Sequence, residues 1–430
     1  MKLLVTFLLP LAASELTVST TSGTVQGFYN DSSTQTVRAF LGIPYAEPPV
    51  GSRRWAPPVP KKSPKSRLDG REYGPSDNGI YSVLPYSPPQ PDYISEDCLS
   101  LNIWSPSSRH ANVSAGPKKA AVLVFIHGGA FIGGTSAVAF YDGAPFVRDN
   151  DNVIVVIFNY RLGIFGYPNA PGLSEGQQNV GLLDQRLAIE WVRDNISRFG
   201  GDPKRITLFG QSAGAISADM YAYAYPKSPL VYGIVLQSGT ATLFSSSDFM
   251  HSSWKNVSEA LGCTQHDPAR NLKCMRKLAF RNVLQAAAGQ IFIPVQDNVT
   301  VSNCSHRVEL GKLARVRYQY HGNWTNLSPV PWLGAYHSSE LPLVFGTYNL
   351  SQPTSRNQVL ASKYIQGMAL YTWSKGSQLI FGGAWAAFAH DPYGGLSAYG
   401  WPMYDPQELA NSPEPVFTKD PLGGSCGLTN

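Results

Sequence analysis

Residues 206–217 read Ile206-Thr207-Leu208-Phe209-Gly210-Gln211-Ser212-Ala213-Gly214-Ala215-Ile216-Ser217. A short β-prone apolar run enters a Gly-x-Ser-x-Gly turn, and small residues that tolerate a helix follow it. This order is the strand–turn–helix context of a nucleophile elbow, so Ser212 is the candidate nucleophile. A turn this sharp predicts a strained backbone at the serine, with glycines where a Cβ atom would not fit.

The pentapeptide is weak evidence by itself, because Gly occupies 40 of the 430 positions. It recurs at residues 172–176 and 423–427, where no apolar strand precedes it and no helix-prone segment follows. We interpret those two matches as Gly-rich loops. The flanking sequence, rather than the motif, selects Ser212.

The composition is that of an ordinary globular protein, with 43% hydrophobic and 15% charged residues. The formal net charge of +5 is small for this length, and no block of basic residues alternates with aromatic ones. We therefore expect no nucleic-acid partner. No Cys or His cluster has the spacing of a zinc site, and we expect neither a metal nor a cofactor.

The amino-terminal residues 1–14 predict a short secretory signal, with Lys2, an apolar run and then Ala12-Ala13-Ser14. The alternative is an apolar first strand. No other segment has the roughly 18 apolar residues needed to span a bilayer, so we expect no transmembrane segment. With the signal removed, we expect an extracellular protein in which residues 15–430 form one domain. Nine sequons agree with export: Asn30, Asn112, Asn195, Asn256, Asn298, Asn303, Asn323, Asn326 and Asn349.

The chain has five cysteines, which is an odd number. Cys263 and Cys274 are eleven residues apart and could close a short loop in an oxidising compartment. The remaining three, Cys98, Cys304 and Cys426, leave at least one thiol without a disulfide partner.

Strand and helix patterns alternate around the elbow. The predicted elements are a hairpin at residues 16–29, strands at 96–104, 120–126 and 153–159, a helix at 179–198, the elbow strand and helix, and a strand at 232–237. This parallel βαβ progression predicts an α/β fold with a mostly parallel central sheet flanked by helices. The Tyr- and Pro-rich residues 81–93 suit either a hydrophobic entrance or a plain surface loop.

A second motif, His127-Gly128-Gly129-Ala130-Phe131, directly follows the strand predicted at residues 120–126. Small residues at the end of a buried strand let successive backbone N–H groups point at one spot, which is the geometry that binds an oxyanion. Alone, the motif would be a Gly turn. With Ser212 downstream, it indicates an oxyanion hole.

Several segments, in order along the chain, resemble the signatures of the type-B carboxylesterases, the cholinesterase and fungal lipase branch of the α/β-hydrolases. They are residues 40–49, 96–104, 127–131, 158–161, 191–203 and 210–214. The resemblance resumes at residues 315–348, where residues 334–342 (Gly-Ala-Tyr-His-Ser-Ser-Glu-Leu-Pro) are similar to the family's catalytic-histidine segment. It implies an α/β-hydrolase fold.

By that resemblance, Ser212 is the nucleophile and His337 is the general base. The backbone N–H groups of Gly129, Ala130 and Ala213 would form the oxyanion hole. The resemblance also implies a Cys263–Cys274 disulfide, whereas Cys98 has no upstream cysteine to complete the family's first disulfide.

The acidic member of the triad is missing from its expected place. An α/β-hydrolase carries its triad in the order Ser, acid, His, so the acid should lie between Ser212 and His337. The candidates are Asp219, Asp248, Glu259, Asp267, Asp297 and Glu309. Asp297 is the best of them from the residues alone, because residues 291–295 could form a strand that ends near it. In the family, however, the matching acid is not the catalytic one.

The chain passes from Val301 almost at once into a segment that looks like a much later part of the family. We infer a missing internal segment with its junction near residues 297–306, which would remove a late strand and helices as well as the acid. The apolar faces that the segment covers would be exposed, and large exposed patches favour aggregation.

Two functions are compatible with these residues. The first is a secreted serine hydrolase that cleaves a small-molecule ester or lipid through an acyl-enzyme. The second is a catalytically impaired, truncated hydrolase-fold protein with a binding role or no activity, because loss of the acid lowers the rate of such triads by roughly 10⁴.

Overall fold

The computed structural model describes residues 15–76, 94–110, 119–150, 152–241, 248, 250–301, 314–318, 337–347, 384–393 and 395. The predicted signal at residues 1–14, the loop at residues 81–93, Glu309, Cys304 and Cys426 lie outside the described residues. So do residues 302–306, which form most of the inferred junction.

Eleven strands lie in the described part of the chain. They are β1 (Thr17–Ser19), β2 (Thr24–Gln26), β3 (Phe28–Tyr29), β4 (Val37–Pro44), β5 (Arg67–Asp69), β6 (Ser100–Pro106), β7 (Ala120–Ile126), β8 (Val153–Phe158), β9 (Gly201–Gln211), β10 (Gly233–Gln237) and β11 (Ala314–Tyr318). Strands β1, β2 and β5 form a small separate sheet, in which β1 and β2 are the predicted hairpin.

The other eight strands form one sheet in the order β11-β10-β9-β7-β8-β6-β4-β3. The five strands from β11 to β8 are parallel, and β6, β4 and β3 continue the sheet in antiparallel pairs. The predicted α/β fold with a mostly parallel central sheet is confirmed.

The described helices join and cover this sheet. They are α1 (Ala144–Asp149), α2 (Gly163–Gly166), α3 (Val180–Asn195), α4 (Ala213–Ala224), α5 (Ser252–Ala260), α6 (Pro268–Met275), α7 (Phe280–Ala286), α8 (Leu341–Phe345) and α9 (Ala384–His390). Short 3₁₀ turns occur at Gly51–Arg53, Ala139–Tyr141 and Ile196–Phe199. The last of these ends at Gly200, whose φ of 96° is the left-handed conformation in which helices commonly end.

The central strands are buried on both faces, which explains their continuous apolar sequences. Along β7, Val122 and Val124 belong to the core shared with α3 and α4. The alternate residues Leu123 and Phe125 belong to the core shared with α1, α8 and α9. The molecule therefore has three layers, with helices on either side of the sheet.

Two sequence predictions differ from the structure. Residues 291–295 do not form a strand: Pro294 has no N–H to donate, and Val295 N donates instead to Asn179 Oδ1. The strand predicted from residue 96 begins only at Ser100, because Glu96 turns away to pair with Arg54.

One sequon is built into the core. Asn195 is fully buried, donates to Trp191 O and accepts from the backbone N–H of Thr21. Because its side chain is buried and occupied by these bonds, the folded structure leaves no room for a glycan on Asn195. The disulfide implied between Cys263 and Cys274 is present, and it links the loop after α5 to the last turn of α6.

Candidate active site

The elbow at Ser212 has the strained backbone that its sequence predicts. Ser212 lies between the end of β9 and the start of α4, with φ 56° and ψ −122°. Its backbone N–H donates to Gln237 O, and its carbonyl accepts from Ile216 N. A non-Gly residue in this region stores strain of about 1–3 kcal/mol, and the hydrogen bonds on both sides hold it there.

Glycines allow the segments around Ser212 to come together. A Cβ atom added to Gly214 would overlap the carbonyl oxygen of Ile126, so α4 can begin against the end of β7 only with glycine at that position. A Cβ atom added to Gly128 would lie 3.1 Å from Ser212 Cβ. The His-Gly-Gly segment therefore lies directly against the serine.

Three backbone N–H groups near the serine are available. Gly129 (φ 123°) and Ala130 (φ 54°) form a tight left-handed turn, and Ala213 is the first residue of α4. Among the described residues, no acceptor receives a hydrogen bond from the N–H of Gly129, Ala130 or Ala213. Gly129 and Ser212 are partly exposed and Ala130 is exposed, so a ligand oxygen can reach them. Unpaired N–H groups beside a serine suit a developing oxyanion.

His127 stabilises this turn from its buried side. Its ring is buried, stacks on Tyr160 with centroids 4.5 Å apart, and donates from Nδ1 to Gly128 O at 2.9 Å. Burial lowers the pKa of His127 to about 4, so the ring is neutral at pH 7. Tyr160 also donates its hydroxyl to His127 O. His127 has a structural role in the site.

His337 is adjacent to the elbow but not bonded to the serine. Its Nε2 lies 3.1 Å from Nε2 of Gln211, the residue directly before Ser212. Within the described residues, no hydrogen bond joins Ser212 Oγ to His337. His337 is exposed, yet partial desolvation still lowers its pKa below the usual value of about 6.5, so the imidazole is neutral near pH 7.

The candidate acids that the structure describes all have other roles. Asp297 is buried and saturated by its own loop, accepting from the N–H groups of Val299, Thr300 and Val301 and from the Thr300 hydroxyl. Asp248 and Asp267 bind the first turns of α5 and α6. Asp219 accepts from Ala241 N, and Glu259 lies 3.9 Å from Lys255. In the described part of the chain, no carboxylate forms a hydrogen bond with His337.

One further carboxyl lies close to His337 in sequence. Glu340 begins the turn into α8, is buried, and has one oxygen without a hydrogen-bond partner. Burial raises the pKa of Glu340 to about 7, and the neighbouring side chain of Gln237 only partly offsets this effect.

Sequence reasoning missed Gln211 and Gln237. They are paired in register at the carboxyl ends of β9 and β10, and both contact the site. Gln211 contacts the ring of His337, and the carbonyl of Gln237 holds the backbone of Ser212. Their sequence positions could have indicated them, because they end adjacent predicted parallel strands, and ligand sites of α/β proteins lie at the carboxyl ends of such strands.

Comparison with known proteins agrees with this geometry. A sequence model described as "Carboxylesterase family" matches residues 14–308, which is more than half of the chain. The chain belongs to the carboxylesterase family. Membership places it among the carboxylic ester hydrolases and confirms the resemblance to the type-B carboxylesterases.

Its relatives include enzymes named for different esters. The chain is 34% identical to a chlorogenic acid esterase of Aspergillus niger, over 88% of this chain and 83% of that enzyme. It is 32% identical to secreted lipase 5 of Gibberella zeae, over 96% of this chain and 94% of the lipase. An acetylcholinesterase of Bungarus fasciatus is 39% identical over 62% of this chain and 44% of that enzyme.

The carboxylesterase shares its fold with a solved relative. The crystal structure of the Geobacillus stearothermophilus carboxylesterase EST55 superposes with a TM-score of 0.56 and 34% identity, over 67% of this chain and 58% of that one. The predicted α/β-hydrolase fold is confirmed. No helix in the described ranges is both long and apolar enough to cross a membrane.

The alignments also show that the relatives contain residues with no counterpart here. The alignment with secreted lipase 5 runs over 522 positions, and that with the chlorogenic acid esterase runs over 446. Both are longer than the 430 residues of this chain. Residues of these relatives therefore face gaps in this carboxylesterase.

Proposed function

We propose that this protein is a secreted serine esterase that acts on small-molecule or lipid esters. The observation that carries the proposal is Ser212 itself, held in a strained elbow beside three backbone N–H groups that lack a described acceptor. Such an arrangement has no evident structural use. It suits nucleophilic attack on a carbonyl carbon and stabilisation of the oxyanion that forms.

In the proposed reaction, the Ser212 hydroxyl transfers its hydrogen to Nε2 of His337 while its oxygen bonds to the ester carbonyl carbon. The negative charge on the carbonyl oxygen is stabilised by the N–H groups of Gly129, Ala130 and Ala213. When the carbonyl re-forms, the alcohol leaves with the hydrogen from His337, and an acyl-enzyme remains. Water attacks the acyl-enzyme by the same steps and releases the acid.

We further propose that this chain lacks the acidic member of the triad. Asp297 is saturated by its own loop, and the match to the family model ends at residue 308. The gapped alignments support the loss of residues from this chain, and the sequence pattern places that loss near Val301. Without the carboxylate we expect turnover reduced by roughly 10⁴ relative to a complete triad, with residual activity from the oxyanion hole.

Secretion is supported by the signal-like residues 1–14, by the disulfide and by the relative named a secreted lipase. The relatives are named a chlorogenic acid esterase, a secreted lipase and an acetylcholinesterase, and these names together support an ester substrate.

A fluorophosphonate probe tests this function, because it phosphonylates an activated serine without the second half of the reaction. We expect slow labelling of the folded protein that disappears in Ser212→Ala. The control is Ser174→Ala, which changes the exposed serine of a second Gly-x-Ser-x-Gly sequence, in a turn. Folded protein that is never labelled would instead support the alternative, a hydrolase-fold protein with a binding role or no activity.

A further inference from the structure

The hydrogen bond between Gln211 and His337 has only one possible direction. An amide nitrogen carries two hydrogens and cannot accept, so Gln211 Nε2 donates and His337 Nε2 accepts at 3.1 Å. An imidazole nitrogen that accepts a hydrogen bond has no hydrogen of its own. The neutral ring therefore carries its hydrogen on Nδ1.

This tautomer is the one that the proposed reaction requires. A base that takes the serine hydrogen through Nε2 must present a lone pair there. In a complete triad, the acid secures this state by accepting the hydrogen on Nδ1. No described carboxylate does so for His337, and the sequence lacks an acid at the expected place.

The surroundings of Gln211 fix its side chain. It is the last residue of β9, is only 2% exposed, and is in register with Gln237 of the neighbouring strand. A Cβ atom added to Gly128 would lie 2.7 Å from Gln211 Oε1, so the amide oxygen packs against that glycine. The amide nitrogen is thereby directed to the imidazole.

We propose that Gln211 positions His337 and selects its Nδ1–H tautomer in this chain. Gln211 does so by donating to Nε2, whereas a triad acid would do so by accepting from Nδ1. This inference rests on the proposed function. During attack, the hydroxyl of Ser212 takes the place of the amide at Nε2. Gln211 is a positioning residue and does not itself transfer a hydrogen.

Two substitutions separate this role from simple packing. Gln211→Glu nearly conserves shape, but a carboxylate can only accept, so it requires a hydrogen on His337 Nε2 and selects the opposite tautomer. Gln211→Leu removes the hydrogen bond without replacing it. A net hydrogen bond corresponds to roughly three- to tenfold in the tautomer ratio. Because the rate follows the fraction of Nδ1–H rings, we expect phosphonate labelling to slow by at most that factor in Gln211→Leu and by more in Gln211→Glu.

Nitrogen-15 NMR of histidine-labelled protein reports the tautomer directly. The protein has eight histidines, and the signals that disappear in His337→Gln identify the ring. We expect Nδ1–H in the native protein, Nε2–H or doubly protonated imidazolium in Gln211→Glu, and native signals in the control Gln285→Glu, which changes an exposed glutamine of α7.

An Nε2–H ring in the native protein, or a Gln211→Glu protein whose neutral ring carries its only hydrogen on Nδ1, would overturn the proposal. Failure of the proposed function gives a different result. In that case the native ring carries its hydrogen on Nδ1, yet no serine is labelled.

Discussion

At the scale of single residues, the site combines groups whose ionisation is set mainly by burial. His127 and His337 both have lowered pKa values because desolvation disfavours the imidazolium. Glu340 shows the opposite direction, since burial disfavours its carboxylate. The two imidazoles are thus mainly neutral near pH 7, whereas the Glu340 carboxyl is about half protonated there.

Glu340 makes the stability of the fold depend on pH. Its pKa is about 7 when folded and about 4.3 when unfolded. The folded state therefore holds the proton more tightly, and stability falls as pH rises from about 4.3 to 7. We expect Glu340→Gln to remove this decline and to raise the free energy of unfolding at pH 8 by about 3 kcal/mol.

Urea denaturation across pH 4 to 8 measures this effect. The matched control is Glu259→Gln, an exposed residue of α5, which should follow the native profile. If Glu340→Gln shows the same decline as the native protein, then the carboxyl is ionised in the folded state and the prediction is wrong.

At the scale of secondary structure, the contact between β7 and α4 matters most for the site. It brings the His-Gly-Gly turn against the elbow, and Gly214 is the residue that permits it. We expect Gly214→Ala to destabilise the protein by about 1–3 kcal/mol through overpacking. We also expect it to abolish phosphonate labelling, because α4 must move away from the oxyanion turn.

A matched control is Gly262→Asn, since a Cβ atom there meets nothing within 4 Å and Asn tolerates its φ of 73°. Thermal unfolding and labelling should both remain close to native in this variant. Labelling of Gly214→Ala at the native rate would show that the contact is dispensable.

The elements that the sequence predicted best are those whose pattern is set by burial alone. Residues 120–126 are apolar throughout because both faces of β7 are covered, and their bounds agree with the structure. Residues 291–295 have a similar composition, but Pro294 has no N–H to donate and Val295 N bonds to the side chain of Asn179, so no strand forms there among the described elements. Composition does not encode such a competing partner.

The candidate site was likewise predictable only where a local sequence pattern determines the geometry. Glycine spacing indicated the elbow and the oxyanion turn, because steric requirements are local. The contact between Gln211 and His337 joins residues 126 positions apart, and it depends on the arrangement of strand ends. No local pattern specifies that distance.

At the scale of the whole molecule, the position of the last strand bears on the inferred gap. Strand β11 pairs directly with β10, although the two are separated by residues 238–313 in the chain. It is the terminal strand of the sheet in the described part of the chain. A missing segment that carries another strand would change which strand neighbours β10 and where His337 lies.

Restoring that segment therefore tests whether its loss removed the triad acid. A chimera that carries, after Val301, the residues of secreted lipase 5 that face the gap should regain a triad acid. We expect its turnover to rise by up to roughly 10⁴ over this chain. Ester hydrolysis under saturating substrate measures the change. The control is the same chimera with the restored acid changed to its amide. Equal turnover of the chimera and this chain would refute the inferred loss.

The positive φ of Ser212 also has a consequence for how such a protein evolves. Glycine adopts that conformation without strain, so Ser212→Gly is expected to make the fold more stable by about 1 kcal/mol while it removes the nucleophile. Selection for folding alone would thus replace this serine. A lineage that retains it under mutation is being selected for chemistry, and loss of that selection should be visible first at position 212.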